Sequence, residues 1–500
     1  MRDLAACNAY PPETQMPQSA FPQASPMSVI APRRPLLAAL CALLTLSAGG
    51  DAVAADLAPD SAAATRLMQA ALQSGEAYAL VSSLTTEVGP RFAGTPGDKA
   101  GVDWAVRNLR RMGFSNLRTP EVFVPRWVRG SASFSVLEPF AQSMPAVAIG
   151  GSVGTADTGL TGEIVAVKDI DALRALPAGA VSGKIVYFSG RTERTRDGSG
   201  YGRAVRSRTE GPSAASALGA TGIVIRSIST SSNRLPHTGT LVYNIAQPRI
   251  PAVAISNPDA DALERQLATG KKVSVNMVVT ARDLPQVRSA NVIAEFPGTD
   301  LANEIVLIGA HLDSWDLGTG ALDDGAGVAI AMAAAKLASQ AEPRPRRTIR
   351  VVLFANEEFG LSGAARYPAD EGNAVERHAI AMEADTGAGP VFRLGSKMSA
   401  IDWPLILKIH GIVAPLGVEL GDNETGVGAD IQPLRRQGVP IISPQLDASL
   451  YFDVHHTAND TLDKVDPNHI RQSTAVFAVS AYLAAMAPKM PQRLPPPPPR

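Results

Sequence analysis

The sequence predicts an α/β chain built on a doubly wound, mostly parallel sheet, with a β-rich domain inserted into it. After Ala290, short apolar strand runs alternate with helical patterns, as parallel strands joined by crossover helices require. From about Arg126 to Gln286 the texture changes to closely spaced β runs divided by Gly, Ser and Pro. Helical periodicity stands before that stretch and an α/β pattern resumes after it, so the β-rich part interrupts a domain already begun.

Residues 55–125 open the first domain. There ATRLMQAAL and KAGVDWAVRNLRRMGF repeat apolar residues every three or four positions, as helices packed on a surface do. Between them SSLTTEVGPRFAGTPGDK, rich in Gly, Pro and Thr, reads as a loop. The insert, residues 126–286, carries ASFSVL, GEIVAV, KIVYFSG, TGIVIRS, IPAVAIS and KVSVNMVV, with helical patterns at SAASALGA and DADALERQL. Residues 287–490 resume the sheet with NVIAEF, EIVLIGA, a helix from Gly325 to Ser339, RTIRVVLFAN, a short helix near Leu361 and HAIAMEAD. Further units follow at WPLILKIHGIV, ADIQPLRRQG and VPIISPQ. Asp466 is placed to cap a closing helix, with Pro467 in its first turn and its end near Met486. The tail PQRLPPPPPR, residues 491–500, can bury almost nothing and is expected to be disordered.

A chain of 500 residues with 45% hydrophobic residues can bury a large core. Lys and Arg number 46 against 47 Asp and Glu, so no basic excess attracts nucleic acid or an anionic membrane. Residues 1–54 read as a leader and secretory signal: Arg33 and Arg34 precede LLAALCALLTLSA, too short to span a bilayer, and small residues offer cleavage after Ala54 or Ala55. Met27 sets the two arginines just ahead of the apolar run, as export signals prefer, and is the expected true start. The chain is therefore expected to be exported, periplasmic or extracellular, with no membrane attachment after cleavage. Both cysteines, Cys7 and Cys41, precede the cleavage point, which excludes thiol and disulfide chemistry in the mature chain.

Open α/β sheets place their chemistry beyond the C-terminal ends of their strands. EIVLIGA runs into HLDSWD, RTIRVVLFAN into a pair of glutamates, and HAIAMEA into Asp385, while GALDDGAG enters a helix through Asp323 and Asp324. Carboxylates crowded at three strand ends are costly unless a cation compensates them. Oxygen donors with neutral imidazoles suit zinc or a similar divalent ion. A second candidate source of imidazole is YFDVHHTANDTLDKVD, residues 451–466. Adjacent residues of an extended chain point to opposite sides, so only one of His455 and His456 is expected to face a cation held at this crevice. GTGALDDGAG lacks a following Lys and Ser or Thr and is not a phosphate cradle.

In order and spacing, HLDSWD, ALDDGAG, NEEFGLSG, MEADTG and YFDVHHTANDTLDKVDP resemble the five motifs of the M28 co-catalytic zinc exopeptidases, and GADIQPLRRQGVP and HHTANDTLDKVDP are similar to their plasma glutamate carboxypeptidase branch. The resemblance implies a zinc exopeptidase fold with a PA-like insert and two zinc ions per chain. One ion would be held by His311 and Asp385, the other by Glu358 and His456, with Asp323 bridging both. It also implies Glu357 as general base, and a cis peptide between Asp323 and Asp324. Asp313, two residues after His311 and so on the same side of an extended segment, would orient the imidazole through its carboxylate. His455 would then lie behind the ligands or face substrate.

The implied activity is hydrolysis of dipeptides or short unblocked peptides, with the insert roofing the crevice and limiting substrate length. Three other readings share the fold: an aminopeptidase acting on longer peptides, a zinc-dependent glutaminyl cyclase, and a receptor-like binding protein that has lost its ligands. The cyclase normally uses one zinc and fewer paired acids, and the receptor reading conflicts with the presence of all five ligand positions and Glu357. The resemblance further implies a homodimer.

Overall fold

Leu301–His311 is the strand around which the larger sheet is organised, flanked on one side by Arg347–Phe354 and on the other by His378–Glu383, both parallel to it. The computed structural model describes residues 58–496. The leader and export signal of residues 1–54, with both cysteines, and the end of the proline-rich tail lie outside the described residues.

The eight strands of this sheet run Ser115–Arg118, Val292–Phe296, Arg347–Phe354, Leu301–His311, His378–Glu383, Ile441–Leu446, Val391–Lys397 and Glu419–Leu420. Four contiguous strands, from Arg347–Phe354 to Ile441–Leu446, are parallel. Antiparallel pairs lie on either side of them, so a parallel centre sits within a mixed sheet. The antiparallel pairing comes from both flanks: Val292–Phe296 runs antiparallel to Arg347–Phe354 and to Ser115–Arg118, and Val391–Lys397 returns antiparallel beside Ile441–Leu446. The central strands are buried on both faces, which is why they read as continuous apolar runs. One face is covered by Ala58–Gln73, Glu76–Glu87, Ala326–Ser339 and Pro467–Met486, the other by Ser362–Glu371 and Gln432–Arg436.

Glu76–Glu87 corrects the loop expected at SSLTTE. Leu80, Val81 and Leu84 supply a buried helical stripe, and the polar residues are absorbed locally: Thr85 Oγ1 donates to the Val81 carbonyl at 2.9 Å and Ser83 Oγ accepts from Trp104 Nε1 at 2.9 Å. The closing helix is Pro467–Met486, with the Asp466 carboxylate accepting from the main-chain N–H of Asn468 and His469. The first part of the tail is also ordered, against expectation. Gln492 N donates to Asp402 Oδ2 at 2.8 Å and Leu494 N to the Gly438 carbonyl at 2.9 Å, so backbone hydrogen bonds replace the missing apolar burial.

The insert is a second eight-stranded sheet whose strands fall between Ala132 and Val279. It hangs from an antiparallel ribbon of Glu121–Val128 and Arg282–Ala290 that straddles both expected boundaries. Its helices include Gly211–Ala217 and Asn257–Leu267, where helical patterns are expected, and shorter ones at Ser199–Ala204 and Arg206–Thr209.

Aromatic packing fixes the insert on the first domain. Trp127, at the root of the insert, lies edge-on to Phe92 with centroids 6.4 Å apart and 6.1 Å from Phe359. A Cβ at Gly150 of the insert would sit 2.1 Å from the Trp315 ring, so only glycine permits this approach. Buried Arg129 adds an ion pair with the half-buried Asp316, its Nε donating to Oδ1 at 2.9 Å. No helix among the described residues is long and apolar enough to cross a membrane.

Candidate metal centre

His311 ends the central strand with its ring buried. Its Nδ1 lies 3.1 Å from the Asp313 carbonyl. A carbonyl only accepts, so Nδ1 carries the hydrogen and Nε2 presents a lone pair. That Nε2 is 3.2 Å from Asp323 Oδ1 and 3.4 Å from Asp385 Oδ1. The orienting group is thus the main chain of Asp313. Its carboxylate stands 3.8 Å from Nδ1 and instead accepts the main-chain N–H of Glu357 at 3.0 Å, because the turn after the strand aims it at the neighbouring strand end.

His456 repeats the pattern from the far end of the chain. Its Nδ1 faces the Thr238 carbonyl of the insert at 3.4 Å, leaving Nε2 3.2 Å from Asp323 Oδ2 and 2.9 Å from Glu358 Oε2. The alternation expected for the two histidines does not hold. His456 has φ of 60°, the chain turns there, and the rings stack with centroids 3.4 Å apart. His455 Nε2 therefore also approaches Asp323 Oδ2, at 3.5 Å, although no distance links it to Glu358.

Asp323 is the meeting point: Oδ1 faces His311 and Oδ2 faces His456. It lies within the segment Ala321–Gly325 and is joined to Asp324 by a cis peptide. Asp324 turns away from the cluster to accept the main-chain N–H of His311 and of Gly327, capping the helix Ala326–Ser339. A Cβ at Gly327 would fall 1.9 Å from the Ala384 carbonyl, so glycine lets this helix start against the strand end that carries Asp385.

Three further residues hold the cluster, none assigned a role from sequence. Asp460 accepts from the main-chain N–H of Leu322 at 2.7 Å and of Asp323 at 3.2 Å, fixing the Asp323 backbone. Its signal was present inside HHTANDT. Buried Arg91 donates to the Thr319 carbonyl at 2.8 Å and the Gly320 carbonyl at 2.9 Å, holding the loop that leads to Asp323. Thr240 Oγ1 of the insert donates to the Glu358 carbonyl at 2.7 Å. Nothing local in the sequence links either of these last two to the cluster.

The electrostatics favour a cation. Burial raises Glu357 well above the usual carboxylate range, and Asp385 and Glu358 add to this against the opposing pull of His311. Burial also raises Glu358 to about 7, with Asp323 reinforcing it. Burial by itself would lower His456, but Glu358 and Asp323 outweigh it and raise the imidazole to about 9. Asp323 Oδ2 and Glu358 Oε1 are buried with no hydrogen-bond partner. Donor atoms separated by 2.9 to 3.5 Å around Asp323 match the edge of a tetrahedron built on zinc bonds, about 3.3 Å. The residues fit a pair of divalent ions sharing Asp323.

The cluster opens into a cavity of about 540 Å³, whose lining includes Glu357 and, from the insert, Tyr201, Arg208 and Thr240. A second cavity of about 340 Å³ adjoins it at Asp197, Asp385 and Thr386 and includes Arg393 and Gln445.

Fold and site together define a metallopeptidase of the α/β class. The sequence model of peptidase family M28 matches residues 291–481. Carboxypeptidase Q of Mus musculus is 33% identical over 412 residues, covering 82% of this chain and 85% of that protein. The crystal structure of a peptidase M28 precursor from Shewanella amazonensis SB2B superposes with a TM-score of 0.86 at 44% identity, covering 88% of this chain and 99% of that one. A zinc aminopeptidase from Bacillus subtilis shares the fold at 20% identity, with a TM-score of 0.60 over 81% of this chain and 94% of its own. The chain belongs to peptidase family M28.

Asp460→Ala frees the two main-chain N–H groups that hold the Asp323 backbone. Zinc affinity, measured by competition with a chromogenic chelator, is expected to fall about 10- to 100-fold, the usual effect of losing an outer-shell partner. Unchanged affinity would show that Asp323 is positioned without Asp460.

Proposed function

We propose that the protein is an exported, co-catalytic di-zinc exopeptidase that hydrolyses dipeptides or short unblocked peptides. The observation that carries this reading is the division of Asp323, one oxygen toward His311 and Asp385 and the other toward His456 and Glu358. His311 and Asp385 would hold one zinc, Glu358 and His456 the other, and Asp323 both. Glu358 distinguishes His456 from His455, since only His456 lies close to it. When bound, the zinc ions supply Lewis acidity, acidifying water and polarising a carbonyl.

The chain's own groups do the rest. Glu357 is half-buried, lines the same cavity as Asp323 and Asp385, and has its main chain fixed on Asp313. It takes the proton of the attacking water and passes it to the leaving amine nitrogen. Tyr201 and Arg208 of the insert stand in the cavity wall and limit the length of peptide that enters. The branch resemblance supports a short, unblocked substrate, and the similarity to carboxypeptidase Q supports release of a C-terminal residue. Export is supported by Arg33, Arg34 and the apolar run that follows them.

Glu357→Gln is expected to keep the zinc content and melting temperature while turnover drops about 10²- to 10⁴-fold, the range for loss of a general base. Full turnover at full metal occupancy would remove Glu357 from the chemistry. One panel decides the substrate class: free dipeptides, N-blocked dipeptides, longer peptides, and peptides with N-terminal glutamine. Unblocked dipeptides are expected to be cleaved best, with activity lost on chelation and restored by zinc. Good cleavage of long peptides from the N-terminus would make the enzyme an aminopeptidase, and cyclisation of glutamine without hydrolysis would end the peptidase reading. N-terminal sequencing of exported protein is expected to begin at Ala55 or Asp56, whereas intact chain confined to the cytoplasm would contradict export.

A further inference from the structure

Asp197 belongs to the insert, on the irregular segment of residues 189–198 between Ile185–Phe188 and Ser199–Ala204. It lines both cavities, and with Asp385 and Thr386 it marks the place where they meet. The chain is strapped to the first domain on either side of it. Before it, Arg194 Nη2 donates to Asp453 Oδ1 at 2.7 Å, Arg196 Nε donates to Asp447 Oδ2 at 2.7 Å, and the Arg196 carbonyl accepts the N–H of Ala448 at 2.9 Å. After it, Gly198 has φ of 73° and a Cβ there would meet the Phe452 ring at 3.2 Å, while Tyr201 stacks on the same ring with centroids 4.6 Å apart. An exposed carboxylate is thus held at a set position beside the cluster.

The arginines that flank Asp197 are paired, and Asp197 is not. Among the described residues no Lys, Arg or His nitrogen comes within 4.0 Å of its carboxylate. Its Oδ1 accepts the main-chain N–H of Ser199 at 3.0 Å, which holds the carboxyl below its usual range and keeps it ionised. The other charges of the smaller cavity are engaged. Glu383 accepts the main-chain N–H of Asp430 at 3.3 Å and of Ile431 at 3.0 Å, and Asp385 belongs to the cluster. Arg393, the one cation in that lining, lies 3.7 Å from Glu419 and 5.1 Å over the Phe392 ring. The junction of the cavities therefore presents a free anion, which attracts a cationic group and repels a carboxylate.

We propose that Asp197 binds the free α-ammonium group of the substrate's N-terminal residue. In a dipeptide the carbon that carries the ammonium is bonded to the scissile carbonyl, so a carbonyl held at the cluster brings the ammonium close beside it. Asp385 and Asp197 share the border of the two cavities on that side. An ammonium meeting a carboxylate makes a charge-assisted hydrogen bond, whereas an N-blocked peptide offers no charge and a bulkier group at the same point. The inference rests on the exopeptidase reading and names the residue that recognises a free N-terminus.

The test compares a free dipeptide with its desamino analogue, in which hydrogen replaces the ammonium, on zinc-loaded enzyme. It reads kcat/KM and, for a non-hydrolysable analogue of each, calorimetric binding. Wild type is expected to favour the amine, and in Asp197→Asn that preference is expected to fall about 10-fold, as for a lost hydrogen bond to a charged group, chiefly through KM. Asp197→Glu is expected to restore part of it. The Asn side chain still accepts the Ser199 N–H, and zinc content and melting temperature confirm that fold and cluster are intact. An Asp197→Asn enzyme with the wild-type preference overturns the proposal. So does one that loses both substrates equally, the mark of a strap that only shapes the cavity. Wild-type binding that does not distinguish amine from desamino analogue overturns it without any variant. If neither peptide is cleaved, the exopeptidase reading fails, and the binding comparison still judges Asp197 by the same outcomes.

Discussion

Too many carboxylates meet at one end of the larger sheet, and most of the surrounding structure is arranged around that crowding. Asp313, Asp323, Glu358 and Asp460 are buried there, with Glu357 and Asp385 half-buried beside them. Burial penalises each charge and the charges penalise one another, so the cluster keeps protons unless cations take their place. Arg91 supplies one fixed positive charge and spends its hydrogen bonds on carbonyls of the loop before Asp323. Asp324 and Asp460 give their oxygens to main-chain N–H groups and so hold the segment that carries Asp323. Asp323 is left with one oxygen for each side, the arrangement that two cations sharing a carboxylate require.

The insert is part of this arrangement. Thr238 fixes the tautomer of His456, and Thr240 fastens the main chain of Glu358, so two groups of the centre are set by residues more than a hundred positions away. The contacts of Trp127 with Phe92 and Phe359, the close approach of Gly150 to Trp315 and the Arg129–Asp316 pair keep these threonines in register with the sheet. Because Thr238 also receives Arg208, the same attachment places a cation in the cavity wall at a set distance from the cluster. His456, the Glu358 main chain and the Arg208 guanidinium are thus all set by a single docking of the insert.

Much of this was legible in the sequence. The strands ending at His311, Glu357 and Asp385 are long apolar runs that stop at acids or imidazole, and burial on both faces makes such runs easy to read. What escaped depends on local backbone or on distance. The alternation argument for His455 and His456 assumes extended chain, and one residue at positive φ puts both rings on the same side. Asp313 orients His311 through its carbonyl, which every residue type possesses, so its side chain gives no clue. Val391–Lys397 reads as an ordinary polar-apolar stretch, and its antiparallel pairing, like that of Val292–Phe296, is recorded by no local pattern. Arg208 and Thr238 reach the centre through long-range packing that no spacing in the sequence records.

The shared role of Asp323 is tested most directly by the zinc content of purified Asp323→Asn beside wild type, measured by elemental analysis after dialysis against metal-free buffer. The amide keeps one oxygen donor and loses the charge that both ions share. Two zinc ions per chain are expected in wild type and fewer than one in the variant, with occupancy falling at both positions together. A variant that keeps both ions, or loses only one, would contradict a bridging Asp323.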